Sequence, residues 1–239
     1  AVTAAHAAGL VDVVVTNPDG QTGTLTNGFA YTGGSETILL EDNFNDNSID
    51  FAKWRPNNLF SGFTDSTVPT SETNQLLQIG ALLQGQSGSH YNGLRSTNTY
   101  NFTGAYSYVE LVQAPASSTK ADAMFTIGND AHNYYRIYVE EGTLICQSRI
   151  GGSKRNLFVS AYDPTAHRYW RIRHERPTGN VVFETAPDNA GVPGSWTLRY
   201  GEQWNVASVP LTTVIFEIKA GTWQSEPVAP GLVIFDNFK

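Results

Sequence analysis

From Ile38 to Lys239 the sequence runs through short apolar-rich stretches, and a turn signal breaks each one before a helix could form. The clearest are AYSYVELVQA, ADAMFTIG, NYYRIYVEEG, TLICQSRI, RYWRIRHE, NVVFETA, TVIFEIKAG and GLVIFDNFK. Short strands in succession, with no run of Ala, Leu, Glu and Lys at helical spacing, predict an all-β fold. The expected architecture is a two-sheet antiparallel jelly-roll sandwich. The chain has 239 residues, enough for one large all-β domain or two smaller ones.

Parity along the strands separates core from surface, because neighbouring residues point to opposite faces. In RYWRIRHE, Trp170 and Ile172 share a side with Arg168 and His174, while Tyr169, Arg171, Arg173 and Glu175 share the other. The basic residues are therefore split between two faces and do not form a nucleic-acid patch. A formal net charge of −7 also argues against a general polyanion binder. In NYYRIYVEEG, parity turns Tyr135, Ile137 and Val139 inward and leaves Tyr134, Arg136, Tyr138 and Glu140 on the open side. TLICQSRI adds Ile145, Gln147 and Arg149, and NVVFETA adds Val182 and Glu184 if these strands share one sheet.

Such a face suits a sugar: aromatic rings cover C–H groups, while Arg, Gln and Glu hydrogen-bond hydroxyls. It also suits an ordinary solvated face with cross-strand charge pairs, the more common fate of exposed Arg and Tyr on antiparallel sheets. Trp204 in GEQWN and Trp223 in GTWQSEP lie in turn-rich segments and are expected to be exposed loop platforms.

The single cysteine, Cys146, excludes an internal disulfide and is expected as a small buried thiol. No apolar run is long enough to cross a bilayer, and AVTAAHAAGL lacks the basic and apolar regions of a signal peptide. The five histidines show no metal-ligand spacing, and His167 is expected to serve the turn before its strand. Among carboxylates, Glu110, Glu184 and Glu217 stand alone on their strands. Glu140 and Glu141 are adjacent and so point apart, which leaves a cross-strand pair such as Glu110 with Glu140 open.

Residues 1–32 contain AAGLVDVVVTNPDGQTGTLTNGFAYT, two strands around the turn NPDGQ. This stretch resembles the closing half of an IPT/TIG immunoglobulin-like domain, common in bacterial surface and secreted proteins. The opening strands of such a domain are missing, which implies a piece of a longer modular protein. GGSET, residues 33–37, reads as a linker. Residues 38–239 resemble the concanavalin A-like lectin/glucanase superfold, including laminin-G-like domains. The resemblance is carried by DNFNDNSIDFAKW, the YDPTAHRYWRIRHE…VVFETAPDNAGVPGSW block and the terminal FDNF.

That resemblance implies structural roles for Trp54, Trp170 and Trp196, and neighbouring first and last strands. Glucanases of this fold carry an E-x-D-x-x-E strand, which this sequence lacks, so catalysis is not expected. The resemblance also implies a structural calcium ion where the terminal strands meet, with Asp42, Asp46 and Asp236 as candidates. The expected function is a non-catalytic, polysaccharide-binding module of a secreted or cell-surface bacterial protein, linked to other domains. Its candidate ligand residues are Tyr134, Arg136, Tyr138, Gln147, Arg149, Arg171, Arg173, Glu184, Trp204 and Trp223. Two alternatives stay open: an adhesive module using protein contacts, and a hydrolase or lyase with an unrecognised carboxylate pair.

Overall fold

A computed structural model describes residues 9–31 and 39–239 of the chain. The chain divides into two compact units, residues 1–37 and 38–239. The linker expected at 33–37 lies outside the described residues. In the first unit, β1 (Gly9–Thr16) and β2 (Thr22–Tyr31) form an antiparallel hairpin. Its turn closes through Gly20 N–H to Asn17 O at 2.9 Å, with Gly20 at φ 85°, a conformation glycine adopts without a Cβ penalty.

The second unit holds β3 (Trp54–Pro56), β4 (Thr70–Thr73), β5 (Leu76–Leu82), β6 (His90–Ser96) and β7 (Tyr106–Gln113). It continues with β8 (Asp122–Asp130), β9 (Asn133–Glu140), β10 (Thr143–Ile150), β11 (Ser153–Ala161) and β12 (Tyr169–Glu175). Then follow β13 (Asn180–Ala186), β14 (Thr197–Gln203), β15 (Ile215–Thr222) and β16 (Gly231–Asp236). They build two seven-stranded sheets: the first in the order β11-β10-β9-β8-β15-β6-β3, the second β14-β13-β12-β7-β16-β5-β4. Every strand pairing is antiparallel, so the fold is a two-sheet β-sandwich.

Alternation decides what fills the space between the sheets. Phe125, Ile137, Cys146 and Ile218 come from the first sheet, and Val109, Trp170, Ile172, Phe183 and Phe235 from the second; all are fully buried. Trp170 and Ile172 point inward, and Arg171 and Arg173 point away, as parity requires. Burial pushes the Cys146 thiol up to about 12, so it stays protonated and inert. His167 serves its turn: its Nδ1 accepts the Asp163 N–H at 3.0 Å. The two ends of the unit meet where Asp42 pairs with Phe238 beside Trp54, whose indole N–H donates to Asp42 Oδ2 at 2.8 Å.

One tryptophan differs from expectation. Trp204 is buried, not a loop platform; its indole N–H donates to Val209 O at 2.7 Å, and it packs on Tyr135 and Phe102. The Gly- and Asn-rich flanks mark a chain reversal, and a reversal over the end of a sandwich can drive its aromatic residue into the core. Trp196 is only half-buried and lies on the outer face of the second sheet, with the Arg171 guanidinium 4.1 Å from its ring centre.

Candidate functional site

Two hairpin turns set the geometry of the first sheet's outer face. Glu141 and Gly142 join β9 to β10 with φ of 50° and 67°, and Gly151 and Gly152 join β10 to β11 with φ of 57° and 84°. Two-residue turns with both φ positive match the twist of the flanking strands and fix their register. Arg136 is thereby opposite Gln147, Tyr134 opposite Arg149, and Arg149 opposite Lys154. On the other side of β9, Glu140 is opposite Asp122 and Tyr138 opposite Met124, which is itself opposite Lys219 of β15.

A loop covers part of this floor and is pinned by a buried carboxylate. Glu217 Oε2 accepts the backbone N–H groups of Phe60 and Ser61 at 2.7 and 3.1 Å. Its Oε1 takes the Ser61 hydroxyl and lies 3.2 Å from Lys219 Nζ, which also donates to Ser61 Oγ. Glu217, Lys219 and Ser61 are all buried, so this is a clamp fixing residues 60–63 against the sheet. Between loop and floor lies an open cavity of about 400 Å³, rimmed by exposed Phe63 and Trp223 and floored by Tyr134, Arg136, Tyr138 and Gln147.

The Arg136 guanidinium lies over the rings of Tyr138 and Tyr134, at 4.4 and 5.3 Å from their centres. Burial pushes the Tyr138 hydroxyl up to about 12. At the opposite end of the cleft, the Trp223 indole N–H donates to Glu140 Oε1 at 2.9 Å, and Tyr91 donates its hydroxyl to Asp122 Oδ2. Burial pushes Asp122 up to about 7; the Tyr91 hydrogen bond opposes this and neighbouring Glu140 adds to it. Asp122 Oδ1, Arg136 Nε and Gln147 Oε1 are buried with no hydrogen-bond partner among the described residues. Buried polar atoms in a folded protein are nearly always paired, so three orphans lining one cleft mark a place for a ligand or water.

The structure brings together Tyr134, Arg136, Tyr138, Gln147, Arg149 and Trp223 around this cleft. Arg171, Arg173 and Glu184 lie elsewhere: β12 and β13 belong to the second sheet, and these side chains occupy its outer face. The single-sheet arrangement is therefore corrected, since period-2 parity separates inside from outside without naming the sheet. Trp204 leaves the set because it is core. Sequence reasoning missed Phe63, Tyr91, Asp122 and the Ser61–Glu217–Lys219 clamp. For Asp122 a signal existed: in DAMFTI, Asp122, Met124 and Thr126 alternate with the core residues Ala123, Phe125 and Ile127.

A catalytic pair of Glu110 with Glu140 is ruled out by topology, because Glu110 is on β7 of the second sheet, held by Arg168, Tyr169 and Asn237. Asp122 and Glu140 do face each other across a strand pair, but Asp122 is only 2 % exposed and capped by Tyr91.

Near the terminal strands, Asp42 Oδ1 accepts the Phe44 N–H at 3.2 Å, Asp46 Oδ1 the Ser48 N–H at 3.0 Å, and Asp236 Oδ1 the Asn237 N–H at 2.8 Å. Among the described residues, no three His, Cys, Asp or Glu side chains are grouped to hold a metal ion. Glu72, however, is buried beside Asp42 and Asp46. Burial and these two neighbours push it up to about 7, and its Oε1 has no partner among the described residues.

No protein-family model matches the sequence, and no curated protein matches it. Solved structures do match the fold. The CBM2 module of the evolved Dit of Lactobacillus casei BL23 phage J-1 is 11 % identical, with a TM-score of 0.60 over 84 % of this chain and 94 % of that one. LamAcat from Zobellia galactanivorans is 11 % identical, with a TM-score of 0.56 over 86 % and 97 %. A legume lectin-like domain from Entamoeba histolytica is 5 % identical, with a TM-score of 0.51 over 78 % and 88 %. At these identities the likeness shows the fold alone, a two-sheet β-sandwich, and leaves the ligand to the site itself.

Proposed function

We propose that the sandwich unit is a non-catalytic module that binds a polysaccharide and holds a larger secreted or cell-surface protein on it. The observation carrying this reading is the cleft on the first sheet: aromatic floor and rims, with three buried polar atoms that lack partners. Sugars pair an apolar ring face with fixed hydroxyls, and this lining offers both kinds of contact. The carbohydrate-binding and lectin-like names among the structural neighbours support the reading at the level of fold. A non-catalytic role is supported by the sequence, in which no strand carries the E-x-D-x-x-E pattern. The hairpin β1–β2 is read as the remaining part of an IPT/TIG-like domain that joins this module to others.

The test is calorimetric titration of a polysaccharide panel against the whole chain and its Tyr138→Ala and Trp223→Ala variants. Each truncation is expected to weaken binding by about 1–3 kcal/mol, roughly 5- to 150-fold. Unchanged affinity in both variants places the site elsewhere.

Calcium is a separate part of the proposal. Asp42 and Asp46 would be its carboxylate ligands, with the orphaned Oε1 of Glu72 nearby; as no three such side chains are grouped among the described residues, backbone oxygens or water would have to complete the shell. Asp236, beside Glu110, is the weaker candidate. An ion bound only by the folded state raises the melting temperature, so a chelator should lower it and added calcium restore it. An unmoved melting temperature removes the ion from the proposal.

A further inference from the structure

The cleft has a charge that the rest of the chain does not share. The whole sequence carries −7, yet the charged side chains lining the cleft are Arg136, Arg149, Lys154 and Lys219 against Asp122 and Glu140. Lys219 is neutralised within the clamp by Glu217. The other three cations take part in none of the ion pairs among the described residues. Arg136 is the telling one. It is 6 % exposed, its Nε has no acceptor, and its other hydrogen bonds go to the Met124 sulfur, a weak acceptor, and to the neutral Tyr138 hydroxyl. Asp122 is near enough to interact with this cation but forms no ion pair with it, and two tyrosine rings offset only part of the cost of burying it.

We propose that the ligand of this cleft is an anionic glycan, a sugar chain bearing carboxylate or sulfate groups. The inference rests on the polysaccharide-binding reading above and narrows it to a substrate class. Arg149 is opposite Lys154, and Arg136 on the next strand is diagonal to Arg149, two residues from its register partner, so the three cations lie along one side of the cleft floor. A guanidinium presents a planar fork of donors that matches the oxygens of a carboxylate or sulfate. Arg149 Nε is engaged with Gly152 O, and Lys154 is exposed at the edge of the cluster. Four residues along β9, about 13 Å away at the rise of an extended strand, Glu140 and Trp223 form an end suited to neutral hydroxyls and ring faces. The cleft is thus polar along its length: one end takes the oxyanion of one sugar unit, and the other takes the hydroxyls of the next.

The experiment uses the whole chain with four polymers: polygalacturonate, the same polymer after carboxyl reduction, a sulfated galactan, and polyglutamate as an anion without sugar. The expected result is that polygalacturonate or the sulfated galactan binds at least about tenfold more tightly than the carboxyl-reduced polymer. That binding should weaken several-fold between roughly 0.05 and 0.5 M NaCl, where screening of exposed charges becomes strong. Which of the two binds assigns the oxyanion to carboxylate or sulfate. Arg149→Gln with Lys154→Gln, both accessible positions, should remove most of the preference for the acidic polymer at an unchanged melting temperature. Arg136→Met should do the same wherever it folds. Equal binding of the reduced polymer, with no salt dependence, overturns the anionic inference and leaves the glycan reading standing. Retention of polyglutamate as strong as that of the acidic glycans overturns it as well, by showing mere charge attraction. Retention of none of the polymers overturns both readings.

Discussion

The outer faces of the two sheets carry the same residue types and treat them in opposite ways. On the second sheet, Glu184 Oε2 accepts from Arg171 Nε at 2.7 Å and from Arg173 Nε at 3.2 Å, Arg173 also reaches Glu175, and Arg168 pairs with Glu110 at 2.6 Å. Trp196 closes over Arg171. On the first sheet, Arg136, Arg149 and Lys154 form no ion pair with a carboxylate among the described residues, and aromatic groups both flank Arg136 and rim an open cavity. A face whose charges are already matched resembles ordinary solvated sheet; a face with unmatched charges and orphaned polar atoms is prepared for something else. Arginine and tyrosine on a strand therefore do not signal a site by themselves. The state of their partners does.

The comparison can be broken first at its deepest point. Glu217→Ala should cost about 3–5 kcal/mol in urea unfolding, because it leaves Lys219 buried and unpaired and frees two backbone N–H groups. A loss under about 1 kcal/mol would show that the clamp does not hold the wall.

Asp122 gives a test with a sign. Its folded value, about 7, lies above the ordinary 3.8, so its contribution to stability is fully present below about pH 4 and is lost as pH rises through 7. Asp122→Asn should remove that slope and raise stability at pH 8, on the order of 1–3 kcal/mol, since an amide oxygen can still accept from Tyr91. Melting curves between pH 4 and pH 8 that stay parallel for the two proteins would refute the buried-acid assignment.

The smallest effects sharpen the contrast between the faces. Glu184→Ala should destabilise by about 1–2 kcal/mol, as two half-buried guanidinium groups lose their acceptor. Replacing Arg149 and Lys154 together by Gln should change stability by less than about 0.5 kcal/mol, since no carboxylate is left unpaired and the one bond lost goes to the Gly152 carbonyl in a surface turn. Equal effects on the two faces would erase the distinction between a satisfied and a prepared surface.

Strand alternation made much of this fold legible. Trp170 and Ile172 against Arg171 and Arg173, and Tyr135, Ile137 and Val139 against Tyr134, Arg136 and Tyr138, fall as period 2 requires. What alternation cannot reveal is which strands are neighbours, because hydrogen bonding between strands leaves no mark on local pattern. Parity therefore groups Glu184 with Arg136 although the core of the sandwich separates their sheets. Trp204 and Trp223 show the same limit for loops: both sit among turn residues, and only tertiary packing sends one inward and the other to the rim of the cleft. The clamp was illegible for a related reason. Ser61 and Glu217 are far apart along the chain, and nothing in either segment advertises the other.

The pairing of Asp42 with Phe238 has a mechanical consequence. Residues near the two ends of this sandwich unit sit side by side as antiparallel partners, so a pull applied to both acts across the pair and not along it. Tension of that kind would peel the partners apart one hydrogen bond at a time instead of shearing them all at once. The unit would then yield first at that seam, while the first sheet keeps its shape.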